Sequence, residues 1–270
     1  MTKYYEYTLA ELERKAKINL DIYDNEALVF EQLADKMLDV IKANNANSEE
    51  TVIICPVGPV GHYAYFVEKV NTQQISLEKV WFLNMDEHLT DDLKAIDETS
   101  DLSFTGFMKR EVYGKIKEEL LMPETQRIFP EADNLEHIPA VIEAIGKVDL
   151  CIGGIGINGH LAFNEPKPDW TIEELLNHPT HVGEIAAETI TISAMGNRQG
   201  ALELIPKHCV TIGMKEIYAA KEICLGVFRD WHPAVVKRAV CGKVTTRFPV
   251  TLLQNHPHAS ILAPKPIFEV

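Results

Sequence analysis

Positive charge is in short supply. The 270 residues hold 26 Lys and Arg against 40 Asp and Glu, a net charge of −14 at pH 7, with a pI near 5.2. A field of that sign repels polyanions, which argues against broad binding to nucleic acid or to an anionic membrane. One small basic pocket for a phosphorylated metabolite is still allowed. Cysteine is also scarce: Cys55, Cys151, Cys209, Cys224 and Cys241 are odd in number, scattered, and form no C-x-x-C pair. A disulfide framework is thereby excluded. Four of the five lie in or beside apolar runs, where cysteine acts as a small buried hydrophobe, so reduced thiols are expected. No apolar run approaches the ~18 residues that span a bilayer. The start, Met1-Thr-Lys-Tyr-Tyr-Glu-Tyr, lacks the charged-then-apolar pattern of a secretion signal, and a cytoplasmic location is expected. No Gly/Ser linker, low-complexity tract or internal repeat divides the chain.

With 46% hydrophobic residues there is ample material for a core, and disorder over most of the length is excluded. Between Asn25 and Asn45, the residues Leu28, Phe30, Leu33, Met37, Val40 and Ile41 recur at near-helical spacing, which predicts an amphipathic helix. Six short apolar runs follow: Thr51–Val57, Val80–Met85, Val148–Gly153, Cys209–Gly213, Glu222–Phe228 and Ala259–Ala263. They lack clean alternation and are rich in Val, Ile, Leu and Cys, as strands covered on both faces are. Helix-like stretches lie between several of them: Ala64–Lys69, Thr105–Glu119, Leu135–Ile145 and Ala234–Val240. Alternation of this kind predicts an α/β fold, a doubly wound, mostly parallel sheet with helices on both faces, Rossmann-like in plan. We expect one domain over 1–270, with 1–50 as its N-terminal helical segment. Ligands of such sheets bind beyond the carboxyl ends of the strands. Those ends carry Gly58 and Gly61 after the first run, Asp86-Glu87-His88 after the second, Gly154 to His160 after the third and Arg229 after the fifth.

Gly154-x-Gly156-x-x-Gly159 after a strand matches the dinucleotide fingerprint, but a Rossmann turn should open directly into a helix. Here Gly159-His160 and then Asn164-Glu165-Pro166 read as an irregular loop, so no nucleotide cofactor is expected. Glycines let the backbone approach a ligand closely. His160 sits among them with Glu165 five residues on, an imidazole whose tautomer a carboxylate can fix. The other block, Asn84-Met85-Asp86-Glu87-His88, ends an apolar strand in two consecutive acids. Desolvation there raises a carboxyl toward the range of a usable proton shuttle. Alone, the block reads equally well as a solvated turn. His256 and His258 have no third ligand in sight, so no metal is expected.

Together, Asn84–Glu87 and Gly154–Pro166 resemble the glucosamine-6-phosphate isomerase/deaminase family, whose members carry N-M-D-E and G-x-G-x-D-G-H-x-A-F-N-E-P blocks in this order. Ser103-Phe104-x-x-Phe107-Met108, Gly196-Asn197-Arg198 and His256-Pro257 are similar to further family segments, so the likeness runs from about Thr51 to Pro264. The related 6-phosphogluconolactonases share the Gly-Asp-Gly-His core but not the F-N-E-P tail. The resemblance implies that His160 opens the sugar ring, that Glu165 orients its imidazole, and that Asp86 moves a proton between C2 and C1 without cofactor. It implies glucosamine 6-phosphate or galactosamine 6-phosphate as substrate, with ammonia and a ketose 6-phosphate as products. Gly58, Gly61, Glu87, Gly159, Arg198 and Arg229 would hold the substrate and its phosphate.

Three departures stand out. The family's Gly/Thr-rich phosphate turn is Val57-Gly58-Pro59-Val60-Gly61, with no Thr hydroxyl and one backbone donor lost to Pro59. Asn158, expected among the catalytic residues, stands where the family has an acid before Gly-His, and an amide supplies no negative charge to an imidazolium. Pro166-Lys167-Pro168-Asp169-Trp170 replaces the Ser and basic residues of allosteric members, so activation by an N-acetylamino-sugar phosphate is not expected. The alternatives are an isomerase of a non-amino sugar phosphate and a non-catalytic sugar-phosphate sensor. The first 50 residues show no basic recognition face, which argues against a DNA reader. The expected partner is thus a small sugar phosphate, with no nucleic acid and no membrane. A homo-oligomer is compatible with such a chain.

Overall fold

The structure, a computed structural model, describes residues 3–269. From the amino end come α1 (Leu9–Lys15), β1 (Asn19–Tyr23), α2 (Glu26–Ala46), β2 (Thr51–Cys55), α3 (His62–Gln73), β3 (Val80–Asn84) and β4 (Asp86–Leu89). The middle of the chain gives α4 (Phe104–Phe107), β5 (Arg127–Ile128), α5 (His137–Ile145), β6 (Val148–Gly153), α6 (Ile172–Leu176), β7 (His181–Glu184) and α7 (Ala187–Asn197). The last third adds β8 (His208–Thr211), α8 (Met214–Tyr218), β9 (Ala220–Gly226), α9 (His232–Cys241) and β10 (Ala259–Pro264).

Seven strands form one parallel sheet in the order β1-β10-β9-β6-β2-β3-β5. Alternate residues feed two apolar clusters. Val52, Ile54, Cys151, Ile223 and Ile261 face one with α9, and Ile53, Cys55, Leu150, Cys224 and Leu262 face the other with α2 and α3. The sheet is doubly wound, as its apolar runs predict. In α2, Asn25 caps the first turn by accepting the Leu28 N–H at 3.0 Å, while Val29, Leu33, Met37 and Ile41 are buried in one stripe. Each such side chain stabilises the fold by about 1.5–3 kcal/mol.

Three expectations need correction. The N-terminal segment is not all helical, because β1 lies within it and pairs with β10 at the sheet edge. Cys209–Gly213 does not join the main sheet; its β8 is the centre of a separate antiparallel sheet, β4-β8-β7. The predicted helix over Thr105–Glu119 is broken into α4, a wider π-type turn at Met108–Val112 and short 3-10 turns. Gly114 passes close to the Lys109 carbonyl there, and a Cβ on it would lie at 2.9 Å.

From β2 the chain steps to β3 and β5 on one side, then returns to β6, β9 and β10 on the other. The reversal between β2 and β6 is the switch point at which open α/β sheets bind ligands. Met85 bridges the two sheets there, its N–H donating to the Cys55 carbonyl and its carbonyl accepting from Ile212. Among the described residues, no helix is long and apolar enough to cross a membrane.

Candidate active site

The turn after β2 and the loop after β6 meet at the switch point: a Cβ on Gly154 would come within 3.0 Å of the Gly58 carbonyl. The loop then folds back on itself. Gly156 donates its N–H to the His160 carbonyl at 3.0 Å, and a Cβ at 156 would strike the imidazole at 2.2 Å. Gly159 has φ +82° and faces the Phe248 ring, so glycine is required there on both counts. These contacts fix where the His160 ring lies.

Glu165 gathers the donors. Its Oε2 accepts from Asn158 Nδ2 at 2.6 Å and lies 3.2 Å from His160 Nδ1. Its Oε1 accepts from the Thr189 hydroxyl at 2.8 Å and from the Ala186 N–H at 3.2 Å. Burial opposes ionisation, but bonds from His160, Asn158 and Thr189 outweigh it and hold the carboxyl below its ordinary value. An ionised Glu165 accepts the Nδ1 proton of His160, which leaves Nε2 as a free base. Asn158 therefore acts on Glu165, and its Oδ1 also accepts the His160 N–H at 3.3 Å.

Asp86 has the opposite surroundings. It opens β4 directly after Met85, is 7% exposed, and accepts no hydrogen bond among the described residues. Desolvation, with a smaller contribution from Glu87, pushes its pKa up to about 8. Asp86 stands opposite Thr211 in β8, whose hydroxyl accepts the Phe163 N–H at 3.1 Å. The small sheet thereby carries Asp86 and also anchors the loop that holds Glu165. Burial first, and then the carboxylates of Asp86 and Glu165, push the Cys209 thiol up.

Glu87, expected among substrate-binding groups, has its carboxylate engaged within the protein. Its Oε1 accepts from the His88 and Phe104 amides and its Oε2 from Ser103 Oγ and the Thr105 amide, at 2.8–3.0 Å. Four donors leave this buried carboxylate little capacity for a ligand, and they hold the first turn of α4 against β4. Arg198, expected as a phosphate clamp, pairs with both oxygens of Asp101 at the carboxyl end of α7. Arg229 follows β9, and its N–H donates to His232 Nδ1 at 2.7 Å. The neighbouring Phe228 stacks on Phe30 at 4.2 Å, and Phe30 packs against Gly61 at the start of α3. His256 takes a loop role, its Nε2 bonded to the Ala220 carbonyl and its Nδ1 accepting the His258 N–H. No group of three metal-binding side chains occurs among the described residues.

Thr189 and Thr211 escaped the sequence reading, and nothing local marks them. A cavity of about 610 Å³ lies at the amino ends of β1, β10 and β9, lined by Asp21, Lys36, Lys221 and Glu222 among others. It is the wrong end of the sheet for chemistry, and its lysines already pair with Glu222 and Asp149 at 2.6 and 2.8 Å.

No family model matches the chain. It is 28% identical over 243 residues to the glucosamine-6-phosphate deaminase of Thermoanaerobacter pseudethanolicus, covering 87% of this chain and 90% of that protein. The deaminase of Clostridium perfringens is 29% identical over 231 residues, covering 83% and 87%. That of Mycoplasma mycoides is 27% identical over 253 residues, covering 92% and 95%. Among solved structures, a monomeric glucosamine-6-phosphate deaminase superposes with a TM-score of 0.79 at 19% identity, covering 93% and 98%. A 6-phosphogluconolactonase from Thermotoga maritima gives 0.66 at 12% identity, covering 92% and 100%. The two structures share the fold, and the resemblance carried by Asn84–Glu87 and Gly154–Pro166 holds over most of the chain, as that of a divergent relative.

Proposed function

We propose that the chain is an amino-sugar-phosphate isomerase/deaminase that converts glucosamine 6-phosphate or galactosamine 6-phosphate to a ketose 6-phosphate and ammonia. The observation that carries this reading is the pairing of a desolvated, unpartnered Asp86 with a His160 oriented by an ionised Glu165. His160 Nε2 takes the O1 proton and delivers it to the ring oxygen, which opens the sugar. Asp86, once ionised, removes the C2 proton to give an enolamine and returns it at C1. The C2 iminium so formed adds one water and expels ammonia, leaving the ketone. Ring opening breaks the C1–O bond, ammonia leaves from the hydrated C2, and every other step is a proton transfer or a water addition, so a positioned acid and base suffice. The phosphate rests on the turn of Gly58 and Gly61, where α3 begins with no side-chain cap, and on Arg229. Gly159 keeps the loop close to the sugar. Arg198 would join only by releasing Asp101.

Asn158 in place of the family's acid favours one alternative, a sugar-phosphate isomerase that handles a C2 hydroxyl and releases no ammonia. The test incubates purified protein with each amino-sugar phosphate and follows ammonia and ketose phosphate beside Asp86→Asn. Ammonia from one sugar, lost in the variant, is expected. Ketose phosphate from a non-amino aldose phosphate, with no ammonia from either amino sugar, replaces the reading with the isomerase. Binding with no turnover of any sugar points to a sensor.

A further inference from the structure

Two histidines are buried beside the switch point and have opposite surroundings. His62, in the first turn of α3, has no partner for either ring nitrogen among the described residues. His232, the first residue of α9, is 5% exposed and has both nitrogens engaged. Its Nδ1 accepts the Phe228 N–H at 2.9 Å and the Arg229 N–H at 2.7 Å. A nitrogen that accepts two N–H groups carries no proton, so Nε2 is the protonated one and donates to the Ile155 carbonyl at 3.0 Å. The ladder between β6 and β9 ends at Gly153 opposite Leu225. Just past that end, one imidazole takes over and joins the two loops the strands lead into.

We propose that His232 is a positioning residue that sets the spacing between the Arg229 turn and the His160 loop. This rests on the deaminase reading above. On one side, Ile155 precedes Gly156, which donates to the His160 carbonyl and packs under its ring. On the other, the amides of Phe228 and Arg229 are the backbone of the turn that presents the phosphate-binding guanidinium. The imidazole thus fixes how far the group that grips the substrate lies from the group that moves its protons. Burial keeps it neutral, with a pKa lowered to about 4, so the tether does not open across the working pH range.

The two halves of the ring can be removed separately. In His232→Asn the amide oxygen takes the Nδ1 place and the reach to Ile155 is lost. In His232→Gln the amide nitrogen takes the Nε2 place and the bonds to Phe228 and Arg229 are lost. Steady-state kinetics on the amino-sugar phosphate and peptide-level hydrogen exchange are read together, with melting temperature as a control. The Asn variant should lose about tenfold in kcat with KM within about twofold, with faster exchange confined to residues 154–160. The Gln variant should raise KM about tenfold and leave kcat within about twofold, with faster exchange confined to residues 226–231. The same loss in both parameters from both variants, or exchange that rises in both segments alike, overturns the proposal. A wild-type protein that releases no ammonia overturns the deaminase reading alone, since the exchange pattern still decides whether the tether exists.

Discussion

The site holds two buried carboxylates whose surroundings differ as far as one protein permits. Glu165 lies in a loop and collects donors from Asn158, His160, Thr189 and Ala186. Asp86 lies at the start of a strand and collects none among the described residues. The first is held ionised, and the second is held protonated up to about pH 8. Both are 7% exposed, and donors offset the cost of burying a charge at Glu165 while none offsets it at Asp86. A fixed anion orients a neighbour, whereas an acid poised near neutrality can exchange its proton. The chemistry follows from that division.

The comparison breaks hardest at Asp86. Asp86→Asn should cut turnover by about a thousandfold or more, read as ammonia release. The wild-type kcat/KM should rise with pH through about 8, since the base must first lose its proton. Stability moves the other way. Between the ordinary 3.8 and about 8 the folded chain keeps a proton the unfolded chain has released, so stability is lost as pH climbs through that window. The variant lacks this loss. It should melt about 5 °C or more above wild type at pH 8.5, a gap that closes near pH 4. A gap that is constant with pH would show that Asp86 titrates normally.

Next in size is Glu165→Gln, which keeps the shape but not the charge. Turnover should fall about a hundredfold, and a loss comparable to that of Asp86→Asn would mean the two acids share one role. The smallest expected effect is Thr189→Val, which removes one donor to Glu165. Turnover should fall about fivefold with KM unchanged, and a change in KM alone would place Thr189 at the substrate instead.

The elements that were legible in the sequence are those buried on both faces. The strands β2, β3, β6, β9 and β10 are apolar runs whose residues are mostly buried, and composition alone marks them. The edge strand β1 was missed because Asn19 and Asp21 interrupt it and only one neighbour pairs with it. As for β8, its strand character was visible but its partners were not, because one strand carries no record of which sheet it joins. His160 and Glu165 were legible because they lie five residues apart in a glycine loop. Thr189 reaches the same imidazole from 29 residues away, and His232 reaches Ile155 from 77, distances at which only the fold can bring groups together. The partners of Glu87 were hidden for a related reason, since its four donors come partly from Ser103 to Thr105.

Met85 is the point at which the chain passes from the large sheet to the small one. Beyond it, Asp86 is part of the small sheet, and the loop bearing His160 and Glu165 is pinned to that sheet through Phe163 to Thr211 and Asn164 to Ile212. The turn of Gly58 and Gly61 follows β2 of the large sheet. The small sheet therefore holds Asp86 and one side of the loop bearing His160 and Glu165, while the other side of that loop leaves β6 of the large sheet.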